Sequence, residues 1–373
     1  SDATSDSFGY LDTPSPGEPN PDMNAWQGMT APVAFSRPSG LYEQPFSLQL
    51  TSDTPDAEIR FTLDGSEPST AHGQVYAEPI AIDGTTIVRA ASVLPHHRTA
   101  EVTTRAYIFI DVVIGQPAQP AGFPEEWGVH KVDIGGYPVG GPVVADYGMD
   151  PAVVNDPIYG PQLRDALVAL PVLSLATDVA NLDIYADPQA RGRETERPVS
   201  IELFDPLGAE SGFQVDAGMR IQGGAGRWEF MPKHSLRLFF RSQYGAPKLA
   251  YPIFSDSPAT SYDTLVLRAG VDRSFAGHPS VPGAEVDHRQ ATYARDEWTR
   301  ATQIAMSDAG SHGRFVHLFL NGLYWGIYNV VERPDANFMA AYFGGDDAEY
   351  GAVNHAGSVS GPIDRFSALV RLA

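Results

Sequence analysis

Short runs of alternating apolar and polar residues limit the possible folds of this chain more than any other feature of its sequence. Between residues 33 and 110 such runs follow one another with turn residues between them, as at Ile80 and Ile82. A period of two places the apolar side chains on one face of a strand. Asp64 and Gly65 supply the positive φ that a tight hairpin turn needs. This part of the chain therefore predicts a small antiparallel β-sandwich.

Composition divides the rest of the chain into three parts. Residues 1–32 are rich in Ser, Pro, Gly and Asp and predict a linker or the tail of a missing upstream domain. Residues 111–160 predict an extended Gly- and Pro-rich connector that packs on the next domain through its aromatic residues. Residues 161–373 mix helix and strand patterns. We therefore expect an α+β protein, with the sandwich followed by a larger, β-rich domain.

The charge and residue types exclude several classes of function. The chain has 25 Lys and Arg against 46 Asp and Glu, a formal net charge of -21 that opposes binding to nucleic acid. We find no apolar run of about 18 residues, so we predict no membrane span. Because the chain has no Cys, it can form neither disulfides nor thiolate metal sites, and it has no thiol nucleophile.

A glycine-rich turn between two strand patterns is the main candidate for chemistry. A strand pattern over residues 219–222 runs into Gly223 and Gly224, and a second strand follows over residues 232–240. Glycines at such a turn let backbone amides approach an anion, although an ordinary hairpin has the same pattern. Four basic residues lie around this turn in an otherwise acidic chain: Arg220, Arg227, Lys233 and Arg237. Their local positive charge favours an anionic ligand.

The elements after this turn follow the order of a protein kinase N-terminal lobe. A strand pattern at residues 263–270 precedes an amphipathic helix that carries Asp296 and Glu297. Two further strands then turn at Asn321 and Gly322, a strong hairpin signal. A glycine turn, strands, an acidic helix and more strands occur in this order in kinases.

Two parts of the sequence resemble known families. Five motifs, in order, resemble the CotH family of spore coat protein H-like atypical kinases, at residues 221–227, 232–237, 265–268, 295–297 and 321–335. Residues 33–110 resemble the non-catalytic Ig-like module at the C-terminus of chitobiases and hexosaminidases, chiefly through residues 58–68. The CotH resemblance implies a truncated kinase-like domain, mostly its β-rich N-terminal lobe. It implies ATP and Mg²⁺ as cofactors and a protein substrate phosphorylated on Ser or Thr.

The CotH resemblance also assigns roles to residues. As catalytic candidates, Lys233 would lie over the nucleotide phosphates and Glu297 would orient it, with Asp296 as the fallback because sequence fixes helix phase only to within one residue. The backbone of residues 331–333 would form the hinge that recognises adenine. The cofactor-binding candidates are Arg220, Gly223, Gly224, Arg227, Val331, Glu332 and Arg333. The alternative is structural: Lys233 caps a strand, and Glu332 with Arg333 form a fold-locking ion pair.

Phosphoryl transfer also needs an aspartate near the acceptor hydroxyl and another that holds Mg²⁺, and both are expected after the hinge. The chain ends at Ala373, so we expect these residues beyond it, we assign no metal ligand, and we expect this fragment to be inactive.

Two further interpretations remain beside an exported or cell-surface kinase. The first is a non-catalytic structural or adhesive module at the cell surface, whose sandwich at residues 33–110 contacts polysaccharide. The second is a glycosidase, for which the sequence offers no convincing pair of carboxylates.

Overall fold

The structure, a computed structural model, describes residues 26–133, 138–231, 233–270, 292–307, 309–354, 357–361 and 364–372. These residues form mainly β-structure with few helices, which agrees with the predicted sandwich followed by a β-rich domain. The first 25 residues of the predicted N-terminal linker lie outside the described residues.

The first part of the chain consists of short strands. They are β1 (Gly28–Met29), β2 (Ala34–Phe35), β3 (Gly40–Tyr42), β4 (Phe46–Leu48), β5 (Leu50–Thr51), β6 (Glu58–Thr62), β7 (Gln74–Val75), β8 (Ile80–Ile82), β9 (Thr86–Val93), β10 (His97–Arg98) and β11 (Thr103–Phe109). A five-stranded sheet has the order β3-β11-β9-β6-β7, and the pairs β4-β8, β2-β5 and β1-β10 accompany it. Leu48, Ile82 and Tyr107 share a core that joins the sheet to the first two of these pairs. This agrees with the predicted sandwich, but the prediction that it is antiparallel is wrong for two pairs, because β3 pairs with β11 and β1 pairs with β10 in parallel.

The segment after the sandwich lies on the larger domain. It contains α1 (Ile110–Ile114), β12 (Glu126–Val129), β13 (Pro142–Val144), α2 (Pro151–Val154) and α3 (Leu163–Val168). Phe123 and Trp127 pack against the core of the larger domain. Gln116 accepts a 2.7 Å hydrogen bond from the backbone N–H of Tyr324, so this segment is also bound through its polar groups.

The larger domain is built on a closed seven-stranded barrel. Its strands are β14 (Val172–Ala176), β15 (Arg197–Phe204), β16 (Phe213–Gln222), β17 (Ser235–Phe239), β18 (Thr264–Arg268), β19 (Gly313–Leu320) and β20 (Leu323–Glu332). They are ordered β14-β15-β16-β17-β18-β20-β19, and β14 closes the ring by pairing in parallel with β19. Every other pair of neighbours is antiparallel. Alternate residues such as Ile201 and Leu203 fill the interior, as period-two patterning requires.

The remaining elements flank the barrel. Helix α4 (Arg295–Ser307) lies between β18 and β19 in the chain, and α5 (Ala336–Phe343), β21 (Ala352–Asn354), β22 (Gly357–Ser360) and α6 (Asp364–Leu372) follow β20. The strands, the helix and the hairpin occur in the predicted order. Their closure with β14 and β15 into a barrel was not predicted. None of the helices in the described part of the chain has the length and apolar composition needed to cross a bilayer.

The sandwich packs directly on the barrel because both faces of β11 are buried. Tyr107 points into the sandwich core, whereas Ala106 and Ile108 join a second cluster with Val172 and Phe319 of the barrel. One face of β11 therefore packs in the sandwich core and the other against the barrel.

A buried carboxylate crosses the same interface. Glu202 on β15 accepts hydrogen bonds from Ser39 Oγ at 2.5 Å, from Arg105 Nη1 at 2.9 Å and from the Ala106 N–H at 3.0 Å. Burial raises the pKa of Glu202 to about 7, although these three donors favour its charged form.

Two turns meet at the edge of this interface. Asn321 accepts a 2.8 Å hydrogen bond from the Thr177 N–H and donates one of 2.7 Å to the Thr177 carbonyl. Gly65 lies against both residues, and a side chain there would clash with them. Gly65 also has a φ of 84°, so the turn requires glycine for two reasons.

Replacing Glu202 by Gln should change how stability depends on pH. The folded state holds the proton more tightly than the unfolded chain, so the stability from this group is complete below a pH of about 4 and is lost as the pH rises through 7. The wild type should lose about 2 kcal/mol in free energy of unfolding between pH 5 and pH 8 that Glu202→Gln does not lose. Equilibrium denaturation of both proteins at each pH measures this difference. The exposed Glu58→Gln serves as the control, and parallel curves for wild type and Glu202→Gln would contradict this account.

Candidate functional site

The glycine turn opens onto a cleft on the outer face of the barrel. The cleft has a volume of about 370 Å³ and is lined by Gly223, Gly224, Arg268, Asp296 and Asn329, among others. We call it the glycine-turn cleft. A Cβ atom added at either glycine would meet no atom within 4 Å apart from its chain neighbours, so the turn leaves space for a ligand.

A basic residue contacts the acidic start of α4 at this cleft. Strand alternation points Leu265 and Leu267 into the barrel and Arg268 outward. Arg268 Nε lies 3.1 Å from Asp296 Oδ2, and both side chains are about half exposed. Asp296 lies in the first turn of α4, where a helix favours negative charge.

Glu297 points to a different set of partners. Its Oε2 accepts hydrogen bonds from Arg300 Nη2 at 2.5 Å and from Asn329 Nδ2 at 2.9 Å. Arg300 also contacts Asp296 and Asn329, so it ties the start of α4 to β20.

The structure does not bring Lys233 and Glu297 together. Lys233 Nζ lies 4.8 Å from the centre of the Tyr328 ring, which points into the barrel, whereas Glu297 binds Asn329 on the outer face. Lys233 therefore lines a separate cavity at one end of the barrel. Burial lowers the pKa of Lys233 to about 8.

The two other basic candidates stabilise the fold near the turn. Arg220 packs over the Phe239 ring at 4.5 Å and donates a 2.9 Å hydrogen bond to the Gly192 carbonyl. Arg227 is buried and donates a 2.7 Å hydrogen bond to the Ala190 carbonyl. Neither side chain lines the glycine-turn cleft.

The predicted hinge is part of the sheet. Val331 and Glu332 lie in β20, which is paired on both sides, so their backbone groups already take part in the ladder. The Glu332 carboxylate is buried and accepts hydrogen bonds from Ser257 Oγ at 2.7 Å and Tyr342 OH at 2.6 Å. Arg333 Nε lies 3.9 Å from Asp335 Oδ2, so this arginine faces Asp335 rather than Glu332. The cavity beside Glu332 and Arg333 has a volume of only about 20 Å³, too small for a base.

Sequence reasoning gave no role to Arg268, Arg300 or Asn329. Kinases carry their phosphate-binding Lys on the third strand. When the strand before the glycine turn is counted as the first, the third strand here is β18, which ends at Arg268. Counting strands could therefore have added Arg268 to the candidates for phosphate binding. In the described part of the chain, no group of three His, Asp or Glu residues is arranged to hold a metal ion.

Comparisons with known families support the two resemblances. Residues 37–104 match the family model for the chitobiase/beta-hexosaminidase C-terminal domain, and residues 303–367 match the model for CotH kinase protein. The second match begins within α4, so the glycine turn and Arg268 precede it. A search of curated proteins found no match.

The two glycines of the turn should respond differently to substitution. Gly223 has a φ of 129°, a conformation that residues with a side chain rarely adopt, whereas Gly224 has no positive φ. Gly223→Ala should therefore lower the free energy of unfolding by about 1–3 kcal/mol, and Gly224→Ala by less than about 1 kcal/mol. Chemical denaturation measures both, and equal losses would contradict the assigned backbone geometry.

Proposed function

We propose that this chain is part of a CotH-like kinase and that the glycine-turn cleft binds the phosphates of ATP. The proposal rests on the meeting of an open glycine turn, Arg268 and the acidic start of α4 around one cleft. Backbone amides and a guanidinium are the groups that bind phosphate oxygens in such sites.

Arg268 can reach a phosphate at little cost. Its ion pair with Asp296 is half exposed, and such pairs contribute about 1 kcal/mol or less. The remaining N–H groups of Arg268 can therefore bind phosphate oxygens while Asp296 keeps its contact with Nε. Asp296 then takes the orienting role first expected of Glu297, while Arg300 positions both acids.

Bound ATP would supply the phosphoryl group for transfer to Ser or Thr of a protein substrate. Gly223, Gly224 and Arg268 fit its phosphates. The proposal assigns neither the Mg²⁺ ligands nor the aspartate near the acceptor hydroxyl to the described residues. An extracellular or cell-surface location belongs to the same proposal.

Thermal denaturation with ATP and Mg²⁺ tests the cleft. We expect millimolar ATP to raise the Tm of the chain by about 2–6 °C, because a ligand of the folded state stabilises it by mass action. Arg268→Gln should remove most of this rise, and Arg98→Gln, which changes an exposed arginine of the sandwich, should keep it. An equal rise in both variants, or none in wild type, would refute the proposed cleft.

An adhesive module is the second candidate, favoured by a groove between the sandwich and the barrel. The groove has a volume of about 500 Å³ and is lined by polar residues from both domains, including Glu67, His72, Gln243 and Tyr244. Hydroxyl-rich polysaccharides suit such a surface, since sugars bind through hydrogen bonds and aromatic rings.

Pull-down of the chain with chitin, cellulose and peptidoglycan tests this alternative. Binding should fall at least about tenfold in Tyr244→Ala and stay unchanged in Tyr159→Ala, an exposed tyrosine outside the groove. Failure to bind all three polymers would exclude the adhesive role for these polysaccharides.

A further inference from the structure

A second cavity lies at the end of the barrel where β20 begins. It has a volume of about 440 Å³, and we call it the mouth cavity. Four aromatic rings form its wall, with centroids 4.8–5.8 Å apart between neighbours: Trp127, Tyr147, Tyr185 and Trp325. A cavity of this size and lining suits a small ring-shaped ligand.

Lys233 brings a positive charge to the mouth cavity. Its amine lies on the Tyr328 ring and beside Gly326, where any side chain would clash with Nζ. Among the described residues, Lys233 has neither an ion pair nor a hydrogen-bond acceptor. A partly buried ammonium without a counter-ion is costly, and a bound anion would offset that cost.

The carboxylates that line the cavity are already engaged. Glu229 accepts hydrogen bonds from the Lys131 N–H at 2.5 Å and from Gln189 Nε2 at 3.3 Å. Asp146 accepts one of 2.9 Å from the Gly148 N–H. Neither lies within ion-pair distance of Lys233, so within the described part of the chain the ammonium has the Tyr328 ring but no counter-ion.

We propose that the mouth cavity binds a small ring-shaped organic anion, a sugar acid or an aromatic acid, with its anionic group on Lys233 and its ring against the aromatic wall. The mouth cavity and the glycine-turn cleft share no lining residue, so this site is separate from the proposed nucleotide site. His234 connects the two, because its Nδ1 lies 2.8 Å from the Gly226 carbonyl of the turn.

Tryptophan fluorescence provides the test, because Trp127 and Trp325 line the cavity. We expect a saturable change in tryptophan fluorescence on titration with glucuronate or with benzoate. The acid that binds more tightly shows whether the ligand's ring is a sugar or an aromatic ring. Lys233→Met should weaken that binding at least about tenfold, while Lys248→Met, which changes an exposed lysine elsewhere, should leave it unchanged. Binding of neither acid, or equal binding by wild type and Lys233→Met, would overturn the proposal.

The pH dependence of the wild-type protein gives a second test that requires no variant. The titratable groups that line the cavity with Lys233 are His130, Asp146, Tyr147, Tyr185, Glu229, His234 and Tyr324. Burial raises the pKa of the three tyrosines and lowers that of His234, so these four stay neutral between pH 7 and pH 9.5. Affinity for whichever of the two acids binds more tightly should fall at least about tenfold over this range as Lys233 loses its proton. A constant affinity would overturn the role of Lys233.

Discussion

The parallel pairing of β14 with β19 is the constraint on which the rest of the structure depends. It joins residues 172–175 to residues 317–320 and closes the barrel. Without it, β14 and β19 would be open edges, and the apolar faces of all seven strands would lose their shared interior. Closure also fixes which side chains face the interior and which face outward. The glycine-turn cleft lies on the outer face, and the mouth cavity lies at one end of the barrel.

Adjacent residues of β20 point to opposite faces of the sheet and so contribute to different sites. Tyr328 points into the barrel and carries Lys233 on its ring, whereas Asn329 points outward and binds Glu297. Lys233 and Glu297, which were expected to act together, thus contact adjacent residues on opposite faces of the same strand. Arg268, which also points outward, takes the place beside α4.

Local patterns predicted the elements but not their closure. The turn at Asn321 and Gly322 has positive φ at both residues, as its sequence indicates, and the alternation in the sandwich gives its strands. The pairing of β14 with β19 joins segments far apart in the chain, and no local period encodes it. Lys233 was predicted to lie in a strand over residues 232–240, but β17 begins only at Ser235. Strand alternation therefore could not predict the side to which Lys233 points.

The two-sided burial of β11 makes the sandwich and the barrel mechanically continuous. A strand whose neighbouring residues face different cores cannot slide or rotate without disturbing both. The docked turn at Gly65 adds a second point of attachment beside the groove. A pulling force on the sandwich would therefore pass straight into the barrel wall instead of being absorbed by a flexible tether.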